Sequence, residues 1–229
     1  MKPWELLGET RTPDGTAMAL TRRDREYVIL AGGKSLMSSL MHGSEEALAG
    51  LACAAARLRQ VEEPRVLIGG LGMGFTLRAT LDLLAADAHV TVAELVPGVV
   101  EWNRGPLGPL AGHPLKDTRV RIVTGDVLDV LSSSRDSFHA VLLDVDNGPS
   151  AFTAPGNAGL YGDRGLAAAR AALKEDGVLA IWSAWDDRKF VQRLTYAKFD
   201  VTVEHVRARL KKGGPHHTIF LARKRHHTR

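Results

Sequence analysis

The chain has 229 residues, 45% of them hydrophobic, with a formal charge of +4, which is enough for one large α/β domain and a small addition. A single cysteine, Cys53, excludes an internal disulfide, and the longest apolar stretch, residues 47–56, falls well short of the roughly 20 residues that span a bilayer. Residues 1–8 are too short and too mixed for a leader, so the expectation is a cytoplasmic protein with no membrane association.

Taken in chain order, the first 40 residues stand apart. Thr12-Pro13-Asp14-Gly15 is a turn signal, and residues 16–22 and 26–30 read as short strands joined by the charged turn Arg23-Asp24-Arg25. Ala31-Gly32-Gly33 marks another turn. The expectation is a small antiparallel β unit over residues 1–40, followed by the main domain over 41–229. A helix comes next: Ser44 can cap it, Glu45 and Glu46 suit its first turn, and Arg57 and Arg59 suit its last. Leu48, Leu51, Ala55 and Leu58 recur at helical spacing on its core face, and Cys53 packs there as a small apolar group.

After Pro64, the apolar run Arg65-Val66-Leu67-Ile68 ends in Gly69-Gly70-Leu71-Gly72-Met73-Gly74, and a helical pattern begins at once. That is a buried strand, a tight turn and a helix start. Gly70, Gly72 and Gly74 let a ligand approach the backbone, and the new helix offers it unpaired N–H groups. Such a turn can also serve strand–helix packing alone. Its setting decides for a ligand: 20 positions beyond Gly74 a second apolar run ends in Glu94, the place from which an acid binds a ribose hydroxyl pair. The expected ligand is a nucleoside.

From there the chain alternates, with strands expected over 65–69, 89–93, 119–123, 139–143 and 177–182 and helices over 75–86, 97–104, 126–132, 160–174 and 186–194. Residues 201–206 and 217–222 read as two last strands separated by a turn at Lys211-Lys212-Gly213-Gly214-Pro215, hence an antiparallel hairpin. The basic tail from Arg223 to Arg229 has no aromatic residue among its charges and reads as a solvated terminus, so no nucleic-acid partner is expected.

Gly70-Leu71-Gly72-Met73-Gly74-Phe75-Thr76-Leu77-Arg78, Glu94, Gly125-Asp126 and Leu142-Leu143-Asp144-Val145-Asp146-Asn147-Gly148-Pro149 together resemble the class I S-adenosylmethionine-dependent transferases, and more narrowly the spermidine synthases and their small bacterial relatives. The resemblance covers nearly the whole chain. It implies a Rossmann-like, doubly wound seven-stranded sheet with an antiparallel C-terminal hairpin, preceded by a small antiparallel β unit. Two residues depart from the family pattern. Met73 stands where the glycine loop usually carries an Asp that holds the aminopropyl end of decarboxylated S-adenosylmethionine. Asn147 replaces the second Asp of the family's D-x-x-D, and Asp146 on an extended backbone points the other way. A polyamine acceptor wants carboxylates facing it, so these losses argue against ordinary spermidine synthesis.

The resemblance assigns Gly70, Gly72, Gly74 and Glu94 to the nucleoside, Asp126 to the adenine amino group and the Val127 N–H to a ring nitrogen; Asp126 can equally be a helix N-cap. Asp144, at the carboxyl end of the fourth parallel strand, is the candidate base, Asn147 the floor of the acceptor pocket and His42 a candidate acid–base or substrate contact. Tyr161 and Trp185 could wall that pocket or simply pack, and residues 150–157 read as a lid. His216 and His217 are neighbours on a strand and make a poor metal pair, and no zinc spacing occurs, so no metal is expected. The main expectation is methyl transfer from S-adenosylmethionine to a small-molecule acceptor by in-line displacement. The alternatives are aminopropyl transfer from decarboxylated S-adenosylmethionine to an amine, a nucleoside-binding protein without turnover, and a nicotinamide dehydrogenase, which the closing hairpin disfavours. The relatives imply a possible homodimer.

Overall fold

A computed structural model describes residues 2–145, 148–149, 158–209 and 214–225. Asp146, Asn147, residues 150–157 and residues 226–229 lie outside the described residues. Four strands, β1 (Glu5–Arg11), β2 (Ala17–Arg23), β3 (Glu26–Ala31) and β4 (Lys34–Ser38), form an antiparallel meander in that order. The sequence predicts only β2 and β3 of these. The other two are edge strands with mostly accessible side chains, so neither shows the apolar alternation that betrays a half-buried strand. Gly32 and Gly33, at φ 56° and 77°, form the two-residue turn that folds β4 back on β3.

The second sheet contains β5 (Arg65–Gly69), β6 (His89–Glu94), β7 (Val120–Thr124), β8 (Phe138–Leu143), β9 (Leu173–Ser183), β10 (Phe199–Arg207) and β11 (His216–Lys224). Its spatial order is β10-β11-β9-β8-β5-β6-β7, with β11 antiparallel to both neighbours and β5 to β9 parallel. The fold class read from the sequence is therefore the one observed. The helices are α1 (Gly43–Ala55), α2 (Phe75–Leu83), α3 (Pro97–Arg104), α4 (Val127–Ser133), α5 (Ala158–Tyr161), α6 (Asp163–Ala172) and α7 (Arg188–Tyr196).

Alternate residues of the central strands face opposite layers. Val66, Ile68 and Leu142 pack with Leu48 of α1, Leu77 of α2 and Val99 of α3. Leu67, Val141 and Leu143 pack with Leu131 of α4, Leu166 of α6 and Phe190 of α7. Covering both faces explains why these strands read as unbroken apolar runs. No helix among the described residues is long and apolar enough to cross a membrane.

Three local expectations need correction. The helix expected over 160–174 is two helices, interrupted where Gly162 takes an extended conformation, and Leu173 already begins β9. Ser44 does not cap α1. His42 occupies the N-cap position without a side-chain cap bond, because the Ser44 hydroxyl is engaged elsewhere. Arg57 lies beyond the helix end, at φ 52°, and no basic residue sits in the last turn of α1.

Candidate active site

The strand order places the site. From β5 the chain moves outward to β6 and β7, then crosses back so that β8 pairs with the other side of β5. A crevice opens at such a switch point, at the carboxyl ends of the strands. The parallel register sets Gly69 level with both Ala93 and Leu143. The next residues, Gly70, Glu94 and Asp144, therefore emerge side by side. Two backbone hydrogen bonds carry the ladder to this rim: Gly70 N–H to the Ala93 carbonyl and Asp144 N–H to the Gly69 carbonyl, each 2.9 Å.

Gly70, Gly72 and Gly74 adopt φ of 88°, 52° and 85°, in the left-handed region that side chains avoid. A Cβ on Gly70 would also strike the Asp144 carbonyl oxygen, so glycine is required there by contact as well as by conformation. Met37 of β4 lies against Gly72, which brings the N-terminal meander to the edge of the loop. Met73 is 3% exposed and belongs to the apolar core, so its side chain takes no place in the crevice.

Glu94 is buried at the tip of β6, and both its oxygens accept backbone N–H groups: Oε2 from Leu71 at 2.8 Å and Oε1 from Val96 at 2.9 Å. The carboxylate fastens the glycine loop to the second strand. Burial raises its pKa, and the backbone donors oppose that rise. Across the loop, Asn103 donates from Nδ2 to the Gly72 carbonyl at 2.8 Å and to the Val99 carbonyl at 2.9 Å. Its Oδ1, beside Gly74, is buried with no hydrogen-bond partner among the described residues. Nothing in the sequence singles out Asn103, because a polar residue on the buried face of a short helix has no pattern of its own.

Asp126 is the N-cap of α4, its side chain accepting from Leu128 N–H at 2.8 Å. Val127 is buried against Gly69. Asp144 is held from α2: Thr76 Oγ1 donates to its Oδ2 at 2.6 Å. Protein surrounds the Asp144 carboxyl on most sides, and the lost hydration pushes its pKa up to about 6 despite that hydrogen bond.

Opposite stands Glu45, in the first turn of α1. Burial, and then the Asp144 charge, push its pKa up to about 8. Burial and the mutual repulsion of two carboxylates raise both groups above the ordinary carboxyl range, so near neutral pH the pair shares a proton. Ser44 Oγ donates to Glu45 Oε2 at 2.7 Å, and His217 Nδ1 of β11 lies 2.9 Å from the same hydroxyl. The sequence leaves Glu45 and Glu46 ambiguous between function and helix stabilisation, because first-turn acids stabilise helices without any ligand. Only the packing of α1 against β8, β9 and β11 brings Glu45 to Asp144.

His42 is placed differently. Its Nδ1 sits 2.8 Å from Glu46 Oε1, and its ring stacks on Phe75 at 4.1 Å, so it clamps the start of α1 to the start of α2. Tyr161 is 2% exposed in the core with its ring edge against Phe190, so it does not wall a pocket. Trp185 is 54% exposed beyond β9, next to Ser183, on whose backbone Gly148 rests. Asn147 lies outside the described residues, as does the expected lid at 150–157. Among the described residues no group of three or more His, Cys, Asp or Glu could hold a metal ion. A groove of about 760 Å³, lined by Arg135, Arg170 and Lys224 among others, lies at the opposite ends of the strands and has no part in this site.

No protein-family model matches the chain. A curated polyamine aminopropyltransferase of Ruegeria sp. (strain TM1040) is 30% identical over 115 residues, which is 50% of this chain and 38% of that relative. The matched stretch thus spans about two-fifths of the relative's length. Among solved structures, spermidine synthase from Thermotoga maritima superposes with a TM-score of 0.70 over 96% of this chain and 73% of its own, at 19% identity. A spermidine synthase in complex with the transition state analogue AdoDATO gives a TM-score of 0.69 at 18% identity, covering 96% and 72% of the two chains. A probable spermidine synthase from Corynebacterium glutamicum gives 0.64 at 16% identity, covering 95% and 79%. The chain shares the fold of these spermidine synthases.

Proposed function

We propose that the chain transfers an aminopropyl group from decarboxylated S-adenosylmethionine to an amine. The observation that carries this reading is the Glu45–Asp144 pair. The two carboxylates that the sequence lacks at Met73 and Asn147 argue for methyl transfer only while no other acid faces the site, and Glu45 supplies one. An amine acceptor arrives as an ammonium ion. It needs a carboxylate to hold it and a base to remove a proton before its nitrogen can attack. Asp144, whose pKa burial raises to about 6, is a stronger base than an ordinary aspartate and suits the removal of that proton. The curated relative is named for this transfer to polyamines.

The glycine loop suits the donor, since it turns at the carboxyl end of β5 beside Glu94 in a backbone conformation that glycine adopts without strain. In this reading Glu94 takes the ribose hydroxyls, and Asp126 with the Val127 N–H takes the adenine edge. The donor brings a sulfonium leaving group, so the protein's work is alignment, exclusion of water and removal of one proton. Methyl transfer remains the second reading, favoured by Met73. With its side chain in the core, the loop offers no acid to the aminopropyl ammonium.

The test supplies each donor with a panel of diamines and follows the nucleoside product by chromatography. 5′-Methylthioadenosine from the decarboxylated donor supports the proposal. S-Adenosylhomocysteine from S-adenosylmethionine moves the assignment to methyl transfer, and neither product from any acceptor refutes both.

A further inference from the structure

We propose that Ser44 and His217 form the exit path for the proton that the reaction releases into the Glu45–Asp144 pair. The inference rests on the aminopropyl-transfer reading and extends it to Ser44 and His217, which join Glu45 from the side of β11. In that reaction the acceptor ammonium first loses a proton to Asp144. The amine nitrogen then forms a bond to the propyl carbon while the carbon–sulfur bond breaks, its electron pair going to sulfur. One proton is left over in each turnover. The site must discharge it, because the pair already holds one at neutral pH.

The geometry supplies a route. Glu45 Oε2, Ser44 Oγ and His217 Nδ1 form a continuous line with separations of 2.7 and 2.9 Å. With both acids protonated, Glu45 donates from Oε2 to Ser44 Oγ and the hydroxyl donates to Nδ1 of a neutral His217. Shifting both protons along the line makes His217 an imidazolium and leaves Glu45 a carboxylate, so the pair again shares one proton. His217 is half-buried and reaches solvent. Burial, and then the neighbouring His216, depress its pKa, so the imidazolium gives its proton to water readily at neutral pH.

The surroundings of His217 keep the route simple. On its own strand the titratable neighbour is His216. Across β10 its register partner is Val206, while Arg207 stands opposite His216. From β9 the Trp182 ring meets it edge-on at 4.6 Å, and Ser183 pairs with the following Thr218. From α1 come Ser44 and Glu45. The backbone bond from Gly43 N–H to the Ala208 carbonyl, 2.8 Å, fixes the end of the hairpin to the start of α1 and so sets the Ser44–His217 distance. His217 acts through Ser44 and Glu45 and is a positioning residue for the proton.

The experiment uses His217→Gln, which keeps a hydrogen bond to Ser44 but carries no proton, with Ser44→Ala and the double variant. Methylthioadenosine formation is followed across neutral pH in rising imidazole buffer. Each single variant is expected to lose about a hundredfold in kcat with KM for both substrates unchanged, the low end of what a positioned acid–base group contributes. The double variant is expected to be no worse than either single, and imidazole to restore His217→Gln. A kcat within about threefold of wild type, multiplying losses in the double variant, or no response to imidazole overturns the path.

A second readout does not depend on turnover. The His217 ring, titrated by NMR in the wild-type protein, is expected to show an additional inflection near pH 8, where Glu45 titrates, and Ser44→Ala to abolish it. A single inflection overturns the path. Wild-type protein that forms no methylthioadenosine overturns the transfer reading, while the NMR titration still decides whether Ser44 and His217 are coupled to Glu45.

Discussion

Replacing Glu45 with Gln tests the central feature of the site through stability as well as activity. In the folded chain Glu45 titrates at about 8, against 4.5 for an ordinary glutamate, because burial and the Asp144 charge penalise its ionised form. A folded-state pKa above the unfolded value means the native state holds the proton more tightly. Its stabilising contribution is complete below about pH 4.5 and is lost as pH rises through about 8. By linkage, the ionisable glutamate costs under 1 kcal/mol at about pH 5 and roughly 4 to 5 kcal/mol at about pH 8.5. Gln has the shape of the protonated form, accepts the Ser44 hydroxyl and does not titrate. Its stability advantage over wild type should therefore grow by about 4 kcal/mol between those two pH values, a gap of roughly 10 °C in Tm for a chain of this length. Paired thermal and urea melts of the two proteins across this range measure the gap. A gap that stays constant with pH would show that Glu45 is not a buried proton holder, and the case for a carboxylate pair at the tip of β8 would go with it.

Three further outcomes follow from the same geometry. Asp144→Asn should lower kcat by at least about a hundredfold while leaving donor affinity intact, since it removes the base and keeps the shape; single-turnover rates with calorimetry of the bound nucleoside check both halves. Thr76→Val deletes the hydrogen bond that opposes the raised Asp144 pKa. The acid limb of the kcat/KM profile should move to higher pH, because Asp144 must be ionised to act, and an unmoved limb would take Asp144 out of that role. Asp126→Asn keeps an equally good N-cap for α4 but loses a charged acceptor. Its Tm should match wild type while donor affinity falls roughly tenfold to a hundredfold; unchanged affinity would make Asp126 a cap and nothing more.

Much of this architecture is written locally. The alternation of apolar runs with helical patterns, the glycine loop directly after β5 and the absence of a helix between the last two strands determine a doubly wound sheet closed by a hairpin, because each depends on spacing along the chain. The same local logic places Gly70, Glu94 and Asp144 at strand tips, and parallel register then aligns them. What the sequence misses has a different origin. Edge strands β1 and β4 bury too little to show a period, and Gly162 breaks a helix that composition alone would continue.

The chemistry of the site was only half legible for the same reason. Counting acids within the family motifs leaves Asp144 short of partners, and that count favours methyl transfer. In the aminopropyl-transfer proposal the missing carboxylate comes from Glu45, 99 positions earlier in the chain, on a helix docked over β8 and β9. Its effect on Asp144 is a matter of distance and lost water, neither of which a linear pattern encodes. Ser44, Thr76 and His217 gain their roles in the same way: each is an ordinary polar residue on its own element, joined to the others by hydrogen bonds that tertiary packing alone creates.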